Sequence, residues 1–120
     1  MPIMPFEALT CTENPHPGRV YTVEFIFPEF TSIYPPTGFP DFATVTVRYV
    51  PGKRCVETGF LKQYLNSYRE AALFAEASVN RILDDLVAAC APREMTVVGA
   101  FNVRGGIASV VKASYCAEDL

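Results

Sequence analysis

The chain has no tryptophan, one histidine and only four cysteines, none of them in a C-x-x-C pair. This scarcity argues against a metal site. Zinc takes three or four nitrogen, sulfur or carboxylate ligands from the protein. Cys11, Cys55, Cys90 and Cys116 have neither His16 nor an aspartate beside them at ligand spacing. No metal is expected. Long apolar runs are also missing, so no segment reaches the roughly 20 residues of a membrane span. Met1-Pro2-Ile3-Met4-Pro5 has neither the basic start nor the apolar stretch of a secretory signal. A cytoplasmic protein with reduced thiols and no membrane partner is the expectation. Nor is there an excess of positive charge, since the formal net charge is -3. A nucleic-acid surface needs a basic footprint, so no nucleic-acid partner is expected, whereas a small-molecule ligand is compatible.

Half of the 120 residues are hydrophobic, which suffices for one core. A chain this short leaves much surface open, and association with further copies would cover it. Residues 1–18, with Asn14-Pro15-His16-Pro17-Gly18, read as an irregular arm, and 19–120 as one domain. Residues 19–27 are β-branched and aromatic and read as a strand. Prolines 28, 35, 36 and 40 read as a loop over 28–42, because each removes a ladder donor. Residues 43–50 alternate and stop at Pro51-Gly52, a second strand and a turn. Two helices follow, from about Gly59 to Tyr68 and from about Arg69 to Ala91. In the second, Val79, Ile82, Leu83, Leu86 and Val87 form one stripe, with Asp84 and Asp85 on the wet side. Residues 95–103 and 107–115 are two further strands around the hairpin connection Arg104-Gly105-Gly106. The order ββααββ implies an α+β fold, an antiparallel sheet with both helices on one face. One layer of helices cannot cover both faces, so the sheets of several subunits are expected to close into a barrel.

Several short segments resemble a known family in the right order. They are Asn14-Pro15-His16-Pro17, Pro28-Glu29-Phe30-Thr31-Ser32, Thr37-Gly38 with Pro40-Asp41-Phe42, Arg48-Tyr49-Val50-Pro51, Tyr64-Leu65 and Arg104-Gly105-Gly106-Ile107. Together they are similar to the single-module NADPH-dependent 7-cyano-7-deazaguanine reductase family of queuosine biosynthesis, from about residue 13 to 115. The resemblance implies the tunnelling fold, a homo-oligomer of rings or stacked rings, and a ligand pocket between subunits. It puts the purine-recognising glutamate on Glu76 and the general acid on Asp41. Glu57 opens the segment that carries the family's two cofactor lysines, of which Lys62 remains. Arg104-Gly105-Gly106 matches a segment linked to the NADPH phosphates.

The chain departs from the family at linked places. The position of the nucleophilic cysteine holds Tyr34, the first cofactor lysine is Gly59, and the histidine before the anchoring glutamate is Ala75. Ala108 stands where the family often has histidine, and Phe39 where it has a polar residue. The family forms a thioimide through a thiolate, a strong nucleophile near neutral pH. A phenol of unperturbed pKa near 10 is mostly protonated there and does not replace it. Cys55 is the nearest spare thiol in sequence. The anchors Glu57, Glu76 and Asp41 remain, and Glu57 and Glu76 are expected to bind substrate, since a carboxylate can accept two hydrogen bonds from the amidine-like edge of a deazaguanine, purine or pterin ring. One expectation is therefore a ring-binding enzyme in which Tyr34, Asp41 and Lys62 perform non-redox acid–base chemistry without a cofactor. The alternatives are a non-catalytic ligand-binding homologue, and a working reductase that uses NADPH. From the residues alone, Tyr34 is equally a wall-filling aromatic and Lys62 a surface lysine. Glu57 reads also as a helix-start acid, Asp41 as a turn residue, Glu76 as a solvated helix residue, and Arg104-Gly105-Gly106 as a plain turn.

Overall fold

Residues rich in β-branched and aromatic side chains become the four strands of one sheet. The computed structural model describes residues 2–117. After a 3-10 turn at Phe6–Ala8 come strands β1 (Cys11–Glu13), β2 (Val23–Ile33), β3 (Pro40–Val50) and β4 (Arg54–Val56). Helices α1 (Thr58–Asn66) and α2 (Ala75–Cys90) follow, then β5 (Glu94–Arg104) and β6 (Ile107–Cys116). The main sheet is antiparallel in the order β2-β3-β5-β6, and β1 pairs with β4 in a separate short ladder. This is the expected α+β class.

Strand period and helix stripe meet in one core. Ala43, Val45, Val47 and Tyr49 of β3 and Met95, Val97 and Phe101 of β5 point to the same buried side. Against them lie Leu61, Tyr64 and Leu65 of α1 and Val79, Ile82, Leu83 and Leu86 of α2, so both helices cover one face. The opposite face carries Thr44, Thr46, Arg48, Thr96 and Val98 and is only partly covered within the subunit. Asp84 is exposed as expected, but Asp85 is half-buried and accepts a hydrogen bond from the Tyr64 hydroxyl. Tyr64 also bonds Tyr68 at 2.7 Å, and burial pushes both phenols well above the usual tyrosine range.

Three boundaries differ from the sequence expectation. The loop expected over 28–42 is largely strand. Pro28 sits where the β2–β3 register shifts between Phe27 and Phe30, at a sheet edge that needs no donor from it. Pro40 is the first residue of β3, another position that tolerates proline. The second helix begins at Ala75 rather than Arg69, because the chain before it is held by β2. Ile33 N–H donates to Ala71 O at 3.0 Å, and Ile33 bridges Ala72. The segment expected to be irregular contains β1, whose three residues pair with an equally short β4. Segments that short leave too little alternation to read.

Helix α2 packs tightly on the sheet at Gly99. A Cβ there would lie 2.6 Å from Val79 Cγ2 and 2.9 Å from Phe101 Cε1. Overpacking of this kind costs about 1–3 kcal/mol. Gly99→Ala is expected to lower the unfolding free energy in urea by about that amount, and an unchanged midpoint would show that α2 does not press on β5 here.

Candidate functional site

Two hairpin ends and one helix start converge at one end of the sheet. The β2–β3 connection is tight: Tyr34 N–H donates to Phe39 O at 2.9 Å, and Gly38 N–H returns to Tyr34 O at 2.9 Å. Gly38, at φ 74, supplies the left-handed residue of that turn. The β5–β6 turn uses Gly105 and Gly106 at φ 61 and 83, the successive left-handed pair that suits a two-residue hairpin. Because β5 lies beside β3, this turn brings Arg104 next to Asp41. The bonds of Ile33 to Ala71 and Ala72 deliver Phe74, Ala75 and Glu76 to the same corner.

Asp41 is 5% exposed, and its Oδ2 is ion-paired with Arg104 Nη2. The Arg104 guanidinium carbon lies 3.7 Å from the centroid of the Tyr34 ring, a cation–π contact. The Phe74 ring meets Tyr34 edge-on at 5.9 Å. These side chains, with Glu76 and Ser109, line a cavity of about 200 Å³. Glu76 is in the first turn of α2, where the helix dipole favours a carboxylate. Its carboxylate is exposed and has no ion pair or hydrogen bond among the described residues. The cavity thus offers one free carboxylate, one phenol, and a guanidinium already neutralised by its neighbour. Ser32, opposite Asp41 in the β2–β3 register, is buried with an unbonded hydroxyl. A second cavity of about 370 Å³ shares Asp41 and Arg104 and is lined also by Phe39, Phe42 and Val103.

Tyr34, Asp41, Glu76 and Arg104 are therefore brought together, while Gly105 and Gly106 shape the turn that presents Arg104. Glu57 and Lys62 are elsewhere in the subunit. Glu57 caps α1, its Oε1 accepting Phe60 N–H at 3.0 Å. Gly59 leaves room for this fold-back, since a Cβ there would lie 3.0 Å from the same oxygen. Lys62 borders a separate hollow with Phe25, Phe27, Thr58 and Leu61. Cys55 is on β4, its Sγ 3.7 Å from the Tyr21 hydroxyl, and no cysteine lines the Tyr34 cavity. Burial raises the Cys11 thiol and pushes Cys90 up to about 12, so neither is a ready thiolate at neutral pH. The sequence reading missed Phe74. The helix expected from about Arg69 placed it in a helix interior, and its N-cap position follows only from the start of α2 at Ala75. Among the described residues, no cluster of His, Cys, Asp and Glu could hold a metal ion, and no helix is long and apolar enough to cross a membrane.

In comparison with known proteins, the fold resembles the crystal structure of the archaeosine synthase QueF-Like in its apo form. The TM-score is 0.71 at 20% identity, covering 83% of this chain and 96% of that one. The architecture is therefore that of a tunnelling-fold subunit. Sequence similarity is more specific. A family profile described as QueF-like protein matches residues 40–119. The chain is 53% identical over 109 residues to the NADPH-dependent 7-cyano-7-deazaguanine reductase of Chlorobaculum tepidum, covering 91% of this chain and 93% of the relative. It is 54% identical over 115 residues to the protein of the same name from Anaeromyxobacter dehalogenans, covering 96% and 94%. The chain belongs to the QueF-like family.

Cap and cavity wall make different demands on the two glutamates. Glu57→Ala removes a cap and is expected to cost about 1 kcal/mol of stability in urea denaturation. Glu76→Ala should leave stability within about 0.5 kcal/mol, as at other exposed positions. A large loss at Glu76 with none at Glu57 would reverse these assignments.

Proposed function

We propose that this chain binds a 7-deazaguanine, purine or pterin-like ring in the Tyr34 cavity, and that acid–base chemistry there replaces thioimide and hydride chemistry. The observation that carries this reading is that Tyr34, Asp41 and Glu76 share one cavity, with no thiol among the described residues that line it. Glu76, without a partner among the described residues, is suited to accept two hydrogen bonds from the amidine-like edge of such a ring. Tyr34 lies within the same wall and offers an O–H to a substrate atom. Asp41 holds Arg104 and, through it, the position of the Tyr34 ring.

Lys62 and Glu57 take part in this reading only from a neighbouring copy. Lys62 lines a hollow with Phe27, and Phe27 and Ile33, the residue before Tyr34, are separated along β2 by about 20 Å at ~3.3 Å per residue. Head-to-tail packing of copies would put one end of β2 near the other end of its neighbour, closing rings. Two features support such packing. Among the described residues, β2 and β6 are sheet edges without a further strand, and the face away from the helices exposes Ile26, Phe42 and Val110.

The relatives named above are NADPH-dependent. When bound, that cofactor supplies a hydride. The residues lining this cavity fit it poorly. Among the described residues that line it, Arg104 is the only cation, and it is already paired. No hydride step is assigned to this chain.

The test combines binding and mass. 7-Deazaguanine is expected to raise the melting temperature, and Glu76→Ala to weaken its binding by at least about tenfold, since even one lost charge-assisted hydrogen bond is worth that much. Incubation with 7-cyano-7-deazaguanine should leave the intact mass unchanged and consume no NADPH. A covalent adduct with NADPH oxidation would establish a nitrile reductase instead. Ring binding without turnover of any such ring would leave a ligand-binding homologue, and no ring binding at all would overturn the pocket assignment.

A further inference from the structure

Among the described residues Arg104 is the only positive charge lining the Tyr34 cavity, and three features of the structure hold it there. Its guanidinium is paired with Asp41, a carboxylate almost wholly removed from solvent. It is stacked on the Tyr34 ring at 3.7 Å. Its backbone is set by the Gly105-Gly106 turn, with Arg104 opposite Ile107. A buried carboxylate stripped of its partner is strongly destabilised, so Asp41 opposes any movement of Arg104 toward another anion. With Glu76 unpaired, two carboxylates and one guanidinium leave the cavity with an excess negative charge. Glu57 and Lys62, delivered by a neighbour, carry opposite charges and would not change that balance. The second cavity touches the same Asp41–Arg104 pair, and the other described residues lining it, Thr37, Phe39, Pro40, Phe42, Asn102 and Val103, include no cation.

We infer that the Asp41–Arg104–Tyr34 cluster sets ligand charge: the site takes an uncharged or cationic planar ring and rejects rings that bear phosphate. Arg104 is then a positioning residue that fixes Asp41 and the Tyr34 ring, not a phosphate ligand. Selection works through repulsion. A phosphate entering the cavity meets the Glu76 carboxylate, and the one guanidinium available to it is already neutralised. The inference rests on the ring-binding reading above for its ring ligand. Its charge arm does not, because it can be read with a nucleotide alone.

The experiment is calorimetry on the intact protein with 7-deazaguanine, guanosine monophosphate and NADPH. The variants are Asp41→Asn, Arg104→Gln and the double variant, with folding checked by circular dichroism. The wild type is expected to bind 7-deazaguanine and to bind both phosphate-bearing nucleotides at least about tenfold more weakly. Asp41→Asn releases the guanidinium and should raise NADPH affinity by about tenfold. That gain should shrink with added salt and vanish when Arg104→Gln is added. An Arg104→Gln variant that loses NADPH binding while keeping 7-deazaguanine binding would make Arg104 a phosphate ligand and overturn the inference. So would a folded Asp41→Asn variant with unchanged NADPH affinity. If Asp41→Asn does not fold, Tyr34→Ala uncovers the guanidinium from its other side. NADPH affinity should then rise, and an unchanged value again overturns the inference. Failure of 7-deazaguanine to bind, with the NADPH responses as stated, would sink the ring-binding reading and leave the charge assignment supported.

Discussion

The pairing of Asp41 with Arg104 is the interaction on which the candidate site depends. Asp41 is the second residue of β3 and Arg104 the last of β5, so one ion pair ties the mouths of two hairpins together. A charge as buried as Asp41 is tolerated only with a partner of good geometry. The partner is half in solvent, and the Tyr34 ring covers one side of it. The pair therefore locates three side chains at once: the carboxylate, the guanidinium and the aromatic ring.

The rest of the fold supplies the frame for that pair. The β3–β5 ladder runs in register from Ala43↔Phe101 to Val50↔Glu94, which sets the spacing of the two hairpins. Gly99 lets α2 approach β5, and the bonds from Ile33 to the chain at Ala71 and Ala72 aim the start of α2 at Tyr34. Glu76 reaches the cavity through this packing. The family's architecture is thereby kept, with a phenol in a cavity that no thiol lines. Fold and chemistry are separable in this way, because function resides in the site carried by a fold and not in the fold itself.

The sequence made some of this legible and hid the rest for physical reasons. The alternation in residues 43–50 and the stripe from Val79 to Leu86 are long enough to show their period, and both appear as a strand and a helix with the expected faces buried. The prolines at 28 and 40 misled because proline excludes only strand interiors, and each stands at an edge or a start. The late start of α2 is a tertiary effect, since β2 captures the linker before helix can form there. Among site residues, the joining of Tyr34, Asp41, Glu76 and Arg104 accords with the family resemblance. The ion pair was not legible, because Asp41 and Arg104 are far apart in sequence and their contact depends on strand order. The retreat of Glu57 into a helix cap was foreshadowed by its place at a helix start. The room that Gly59 leaves for it became visible only in three dimensions.

The most direct measurement is a double-mutant cycle on the pair, using Asp41→Asn and Arg104→Gln with urea unfolding of all four proteins. Arg104→Gln alone is expected to cost about 3 kcal/mol, the penalty for leaving a buried charge unpaired. In the Asp41→Asn background the same change should cost about 1 kcal/mol or less, giving a coupling of about 2 kcal/mol. Costs that add within about 0.5 kcal/mol would show that the two side chains do not depend on one another, and would contradict the account.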